Sequence, residues 1–154
     1  VASGDWLFKT EMAYSDGYRF NQVSDEKSRL DTLLGLEYTG WTNTTMTLEV
    51  VQNHYLDYDD EMRLFPDYVE ETEYQAAFRY TQDLMYDRLE LTFLAMLMEV
   101  EGDDAAIERL SAAYDISDAV ILTGGVIFYQ GGDKVGYETI HKNNRIFLDV
   151  EYSF

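Results

Sequence analysis

The sequence contains no cysteine, a single proline and no long hydrophobic run. Without cysteine there is no disulfide framework, no thiolate metal site and no covalently attached haem. The longest apolar run, Phe93 to Met98, is far shorter than the roughly 18 to 20 residues that a transmembrane helix needs. The sequence therefore argues against a helical membrane protein.

Basic residues are also scarce, with 11 Lys and Arg against 30 Asp and Glu, which gives a formal net charge of -19. Because nucleic-acid binding needs a basic surface, we expect no nucleic-acid partner. Aromatic residues make up 15% of the chain, including 13 tyrosines, and the glycines number 10. This composition is typical of a β-rich chain, and its 154 residues predict one domain spanning 1–154.

The last ten residues show the clearest strand pattern. Side chains alternate between the two faces of a strand, so one face here is apolar and the other is polar except for Phe147. This ending resembles the C-terminal signature of bacterial outer-membrane β-barrels, whose closing strand ends in Phe. The apolar-face residues, which the resemblance implies form an assembly signal, are Ile146, Leu148, Val150, Tyr152 and Phe154.

Seven further segments alternate in the same way, which gives eight predicted strands. They are 5–14, 31–39, 44–52, 73–81, 88–97, 109–114, 119–129 and 145–154. Each has about the 9 to 11 residues that a tilted strand needs to cross a bilayer, except the sixth, which is shorter or begins earlier at Ala105. The connections alternate between long and short, as in outer-membrane barrels.

These features predict an all-β fold, a transmembrane antiparallel up-and-down β-barrel. The chain is then either a closed eight-stranded barrel or the last eight strands of a larger one. The long connections would be extracellular, and both termini would be periplasmic if the eight strands are complete. A soluble lipocalin-like barrel, which would bury the apolar face, is the alternative.

Aromatic residues are predicted near both ends of the strands and favour the membrane barrel, since such rings collect at lipid–water boundaries. The predicted periplasmic group is Trp6, Tyr38, Trp41, Tyr80, Tyr86, Tyr114, Tyr152 and Phe154. The predicted opposite group is Tyr14, Tyr18, Tyr55, Tyr74, Phe128 and Tyr129.

The polar faces of the strands predict a charged interior. In a narrow barrel these charges would pair across the lumen, whereas in a wider one they would line a wet channel and set its selectivity. The predicted lumen-lining residues are Lys9, Glu11, Asp31, Glu37, Glu49, Arg79, Arg88, Glu90, Arg109, Arg145, Asp149 and Glu151.

Acidic residues are concentrated in the predicted extracellular loops. Asp57, Asp59, Asp60 and Glu61 are candidate ligands for a hard cation such as calcium, but they lack the spacing and central glycine of an EF-hand. A solvated acidic loop is the alternative. Acidic loops could also share divalent ions with lipopolysaccharide phosphates.

The sequence gives little support for catalysis. His54 and His141 lie in different predicted loops, and no serine elbow motif or phosphate-binding glycine-rich loop accompanies them. We therefore expect no enzyme activity and no cofactor.

Three stretches, Gly35 to His54, Arg109 to Lys134 and Asn143 to Phe154, resemble the C-terminal part of a proteobacterial outer-membrane β-barrel family of unknown function. Its members are porin-like and often encoded beside RND-type exporters. The resemblance implies an outer-membrane location, with lipid, lipopolysaccharide, the barrel-assembly machinery and exporter components as partners. It suggests a channel or export-associated pore for small or amphipathic molecules. The rivals are a narrow barrel acting as anchor, adhesin or scaffold, and an outer-membrane lipid enzyme.

Overall fold

The computed structural model describes residues 1–99, 105–132 and 136–154, which form one antiparallel sheet. Two short 3-10 helices, Asp60–Arg63 and Ile140–Asn143, lie in the connections. The strands are β1 (Ala2–Ser3), β2 (Trp6–Tyr18), β3 (Lys27–Tyr38), β4 (Thr44–Leu56), β5 (Thr72–Leu84), β6 (Leu89–Met98), β7 (Ala105–Ser117), β8 (Val120–Gly131) and β9 (Arg145–Tyr152).

Each strand pairs with the next one in the chain, so the order in the sheet is β1 to β9 without a crossover. The predicted all-β, up-and-down antiparallel architecture is confirmed, and each of the eight predicted segments is a strand. The two-residue β1 is an addition that the sequence pattern did not indicate. Within the described residues β9 pairs with β8 alone, so hydrogen bonds do not close the sheet on itself.

The strands are longer than predicted at the end that carries the long connections, which we call the upper end. There β2 continues to Tyr18 and β3 begins at Lys27, so the predicted connection of residues 15–28 shrinks to 19–26. β7 begins at Ala105, which was the earlier of its two predicted starts. The predicted loop from Glu99 to Asp104 lies, apart from Glu99, outside the described residues.

The pairing register shows that the strands are staggered. Following paired residues from one strand to the next leads from Trp6, at the start of β2, to Ile146 in β9. Ile146 lies six residues before Tyr152, where β9 ends, and eight before Phe154. The two strands are therefore offset by six to eight residues along their length. Spread over seven strand-to-strand steps, this offset corresponds to a strand tilt of roughly 30 to 40°. Barrel strands are tilted by a similar angle, typically about 35 to 45°.

The sheet has no packed apolar core of ordinary size. Among the described residues the buried hydrophobic side chains are Tyr55, Met62, Ala105 and Ala106. The accessible surface is 10336 Å², whereas a compact protein of this mass exposes about 8,000 Å². Both faces of the sheet therefore contribute to the surface, and its stability in isolation cannot come from a conventional core.

No helix in the described parts of the chain is long and apolar enough to cross a membrane.

Candidate functional site: the polar wall of the sheet

The register places most strand charges on one face, which we call the polar wall. One row across the sheet runs from Leu7 through Glu37, Thr47, Arg79, Leu94, Arg109 and Ile127 to Arg145. Because paired residues in a sheet point to the same side, the whole row shares one face. The adjacent row runs from Trp6 through Tyr38, Met46, Tyr80, Phe93, Leu110 and Val126 to Ile146, and lies on the opposite, apolar face.

The apolar face is exposed and the polar wall is partly covered by its own long side chains. Leu48 is 44% exposed, Leu110 51% and Leu148 70%. On the polar wall Gly35 and Ser111 are buried. A soluble sheet protein would cover its leucine-rich face, so a large exposed apolar surface marks a contact with another apolar phase or partner.

Aromatic side chains border the apolar face at its lower end, opposite the upper end, and hydrogen-bonded polar side chains border it at the upper end. At the lower end Trp6 packs on Tyr38 with ring centroids 4.4 Å apart, and Trp41 meets Tyr38 edge-on at 5.9 Å. At the upper end of this face polar side chains bond to one another. These pairs are Tyr14 to Ser28 at 2.9 Å, Gln52 to Tyr74 at 3.4 Å, His54 to Thr72 at 2.8 Å and Gln130 to Glu108 at 3.2 Å.

On the polar wall, Lys9 forms an ion pair with Glu37 at 3.2 Å. The lysine side chain lies over Gly35, where an added Cβ would come within 3.2 Å of the Lys9 Cβ and 3.5 Å of the Glu49 Cγ. The absence of a side chain at Gly35 therefore leaves space that the Lys9 and Glu49 side chains border from the two neighbouring strands.

Phe147 lies on the polar wall, where it packs against a glycine and an arginine. It is the one apolar residue on that face of its strand. Its ring lies over Gly125 of the neighbouring strand, where an added Cβ would meet ring atoms at 2.7 and 2.8 Å. The Arg109 guanidinium carbon lies 4.9 Å from the same ring centroid. Such a cation–π contact anchors the Arg109 side chain without a carboxylate partner.

A β-bulge changes the face of the upper part of β2. The register shifts by one residue between Ser15 and Tyr18, and Gly17 supplies the left-handed conformation (φ 84°) that a bulge favours. After the shift Tyr18 lies opposite Lys27, on the polar wall. Tyr18, Tyr55 and Tyr129, which were predicted in the aromatic group at this end of the strands, lie at that end but on the polar wall by register.

The bulge assembles an aromatic cluster around Arg29 at the upper end of the polar wall. The Arg29 guanidinium carbon lies 4.9 Å from the Tyr18 ring centroid and 5.7 Å from that of Tyr55. Arg29 also forms an ion pair with Asp31, with a Nε to Oδ1 distance of 2.7 Å, while its Nη2 donates to Oδ2 at 2.9 Å. Phe20 adds an edge-on contact to Tyr55 at 5.5 Å.

The connection of residues 57–71 folds into a compact structure at the same upper end. Met62 is fully buried, and the Tyr58 hydroxyl donates to the Val69 carbonyl at 2.8 Å. Burial raises the pKa of Tyr58, so this donor keeps its proton at neutral pH. The Asn21 amide groups donate twice to Asp67, each at 2.7 Å, which ties this connection to that of residues 19–26.

Acidic side chains of this connection stabilise its own fold by capping a helix and pairing with a base. Asp59 accepts from the Glu61 amide at 3.0 Å and so caps the 3-10 helix. Arg63 forms an ion pair with Glu70, which raises the pKa of Arg63. In the part of the chain that the structure describes, no three His, Asp or Glu side chains converge to hold a metal ion. The candidate cation ligands Asp57, Asp59, Asp60 and Glu61 are thus not gathered into one site.

The two histidines lie apart. His54 belongs to β4 and bonds Thr72, whereas His141 lies in the second 3-10 helix and contacts the Glu138 carbonyl at 3.1 Å. His54 was predicted in a loop, and that position is wrong because β4 extends to Leu56.

Eleven of the twelve predicted lumen-lining residues share the polar wall by register. Arg88 differs, because it lies in the turn of residues 85–88, where it donates to the carbonyls of Asp115 and Ile116 and covers the Tyr114 ring. The eleven are Lys9, Glu11, Asp31, Glu37, Glu49, Arg79, Glu90, Arg109, Arg145, Asp149 and Glu151.

The structure adds residues to the polar wall that the sequence pattern did not single out. Lys27 was missed because it was placed in a loop, Arg29 because its strand was begun too late, and Asp83 because its strand was ended early. The glycine of Asp16-Gly17 is the one sequence signal that could have indicated the bulge. Thr92, Ser111 and Thr123 are hydroxyl-bearing members of the wall that lie together around one cavity.

Comparison of the chain with protein-family models, with curated proteins and with solved structures gave no match.

Proposed function

We propose that this chain forms the wall of a β-barrel in a bacterial outer membrane, through whose polar interior small or amphipathic molecules diffuse without chemical change. The observation that carries the proposal is the two-faced sheet. Its apolar face is exposed over the middle of the strands, and it is bounded by an aromatic cluster below and hydrogen-bonded polar pairs above. Lipid matches such a band, and the polar wall then faces water.

The open edges of the sheet fit the same proposal. The outer edge of β2 beyond Phe8 and the outer edge of β9 carry backbone groups that pair with no other strand among the described residues. In lipid each unpaired group is costly, so the edges must be paired in the membrane. Pairing of β9 with β2, or of both with further strands, would close the barrel.

The proposed outer-membrane location determines which partners we expect for this chain. Lipid would contact the apolar face, and lipopolysaccharide would meet the acidic upper connections through shared divalent ions. The barrel-assembly machinery would bind the apolar face of β9, as the resemblance of the chain ending to outer-membrane barrels implies. Exporter components are expected partners because the resembled family is often encoded beside RND-type exporters.

A second candidate is a narrow, non-conducting barrel that anchors or scaffolds. The upper end of the polar wall favours it, because Tyr18, Arg29 and Tyr55 stack there beside the folded connection that buries Met62. The Lys9–Glu37 and Arg29–Asp31 pairs also occupy the wall. A barrel interior filled in this way would carry no current.

Single-channel recording in planar lipid bilayers separates the two candidates. We expect the purified chain, shown by circular dichroism to be folded, to open discrete ion-conducting pores. The control is the same protein heat-unfolded before addition, which should give no openings. Silent membranes containing folded, inserted protein would refute the channel and leave the anchor.

A further inference from the structure

Two arginines lie at the same level of the polar wall on alternate strands. Arg79 of β5 pairs with Leu94 of β6, which in turn pairs with Arg109 of β7. Alternate strands are about 9.5 Å apart, so two arginine side chains directed along the wall can reach one small group between them. Both arginines line a cavity of 410 Å³.

The rest of this cavity is suited to hydrogen bonding. Besides the apolar Leu94 and Ala113, its lining residues are Thr92, Ser111 and Thr123, which carry hydroxyls, and Glu90, which carries a carboxylate. Ser111 is buried. Glu90 lies two rows below the arginines, and it accepts a hydrogen bond from the Thr92 hydroxyl at 3.1 Å. The two arginines and Glu90 leave one net positive charge in the cavity.

The two guanidinium groups differ from Lys9 and from the other two arginines of the polar wall, Arg29 and Arg145. Lys9 pairs with Glu37, Arg29 with Asp31, and Arg145 donates to the Tyr129 hydroxyl at 3.1 Å. Within residues 1–99, 105–132 and 136–154, Arg79 has no ion pair or hydrogen bond, and Arg109 has only its contact with Phe147. The guanidinium N–H groups of Arg79 and Arg109 are therefore available to donate hydrogen bonds to a ligand.

We propose that Arg79 and Arg109 form a binding site for a small oxyanion, the carboxylate or phosphate group of a solute in the barrel interior. Guanidinium groups bind these anions through paired, charge-assisted hydrogen bonds, and the serine and threonine hydroxyls supply further donors. Glu90 lowers the net charge of the site, which favours a singly charged or zwitterionic solute over a highly charged one. The proposal rests on the barrel interior being open to solutes.

The test is a titration of the full chain, folded in detergent micelles, with inorganic phosphate and, separately, acetate, followed by amide chemical shifts or calorimetry. Arg79→Gln and Arg109→Gln should each weaken binding by about tenfold or more, as expected from the loss of a charge-assisted hydrogen bond. The matched control is Arg145→Gln, in the same row and with the same charge change, which should leave the affinity within about twofold.

Absence of saturable binding by the wild-type chain, or equal weakening in all three variants, would overturn the site. Equal weakening would mean that the anion responds to overall charge and not to this cavity. Because the titration needs no conduction, a silent bilayer with intact anion binding would refute the channel alone. Conducting pores without anion binding would refute this site alone. Weaker phosphate than acetate binding would assign the site to carboxylates.

Discussion

Replacing Leu48 with arginine should destabilise the protein folded in phospholipid vesicles by about 2 to 4 kcal/mol, the cost of a lipid-facing arginine near the bilayer midplane. Leu48 is the middle one of three apolar side chains, with Met46 and Val50, on the apolar face of β4. The free energy of unfolding by urea in vesicles measures the effect.

Thr47→Arg is the matched control, since Thr47 is the adjacent residue on the same strand and lies on the polar wall between Glu37 and Arg79. An arginine there stays in contact with water and beside an acid, so we expect a change within about 0.5 kcal/mol. If the two variants lost equal stability, or if Thr47→Arg were the more damaging, the faces would have been assigned the wrong way round.

Gly125→Ala should cost about 1 to 3 kcal/mol through overpacking on the polar wall. Its added Cβ would lie 2.5 Å from the Leu110 carbonyl oxygen and 2.7 Å from the Phe147 ring. The carbonyl belongs to the neighbouring strand, so the strain cannot be relieved by turning a side chain alone. The urea midpoint should fall, and the Arg109 contact with Phe147 should be disturbed with it.

Gly124→Ala tests the same chemical change one residue away, on the apolar face. Its nearest neighbour would be the Leu148 Cδ1 at 3.5 Å, an ordinary contact. Since alanine restricts the unfolded chain more than glycine, stability should be unchanged or slightly higher. Loss of stability in both variants to the same degree would contradict the closer packing at Gly125 than at Gly124.

The number of long strands, their faces and their order could be predicted because a strand has a side-chain period of two. Leu34 and Leu36 alternate with Gly35 and Glu37, and neighbouring segments repeat the pattern. In an up-and-down sheet each strand lies beside its neighbour in the chain, so local pattern and overall topology agree.

The upper ends of the strands could not be predicted in this way, because polar side chains occupy both faces there. A bulge at Gly17 moves Tyr18 to the other face, and periodicity read along one strand does not reveal such a shift. The ties between the two upper connections join Asn21 to Asp67 across 46 residues of sequence. Contacts at that separation leave no local pattern.

The role of Phe147 illustrates the same limit within a predicted strand. Read along β9 it is an apolar residue on a polar face. Its place becomes clear from the register, which puts Gly125 beside it and Arg109 on the far side of β8. A glycine and an aromatic ring in adjacent strands form one packing unit that no single segment shows.

Accessibility along β4 in a bilayer tests the central proposal most directly, and the absence of cysteine gives a clean background for single spin labels. Labels at positions 46 to 51 should alternate. At 46, 48 and 50 we expect high collision rates with oxygen, which concentrates in lipid, and at 47, 49 and 51 high rates with a water-soluble nickel complex. Equal rates at all six positions, or the opposite alternation, would contradict a barrel wall with its apolar face in lipid.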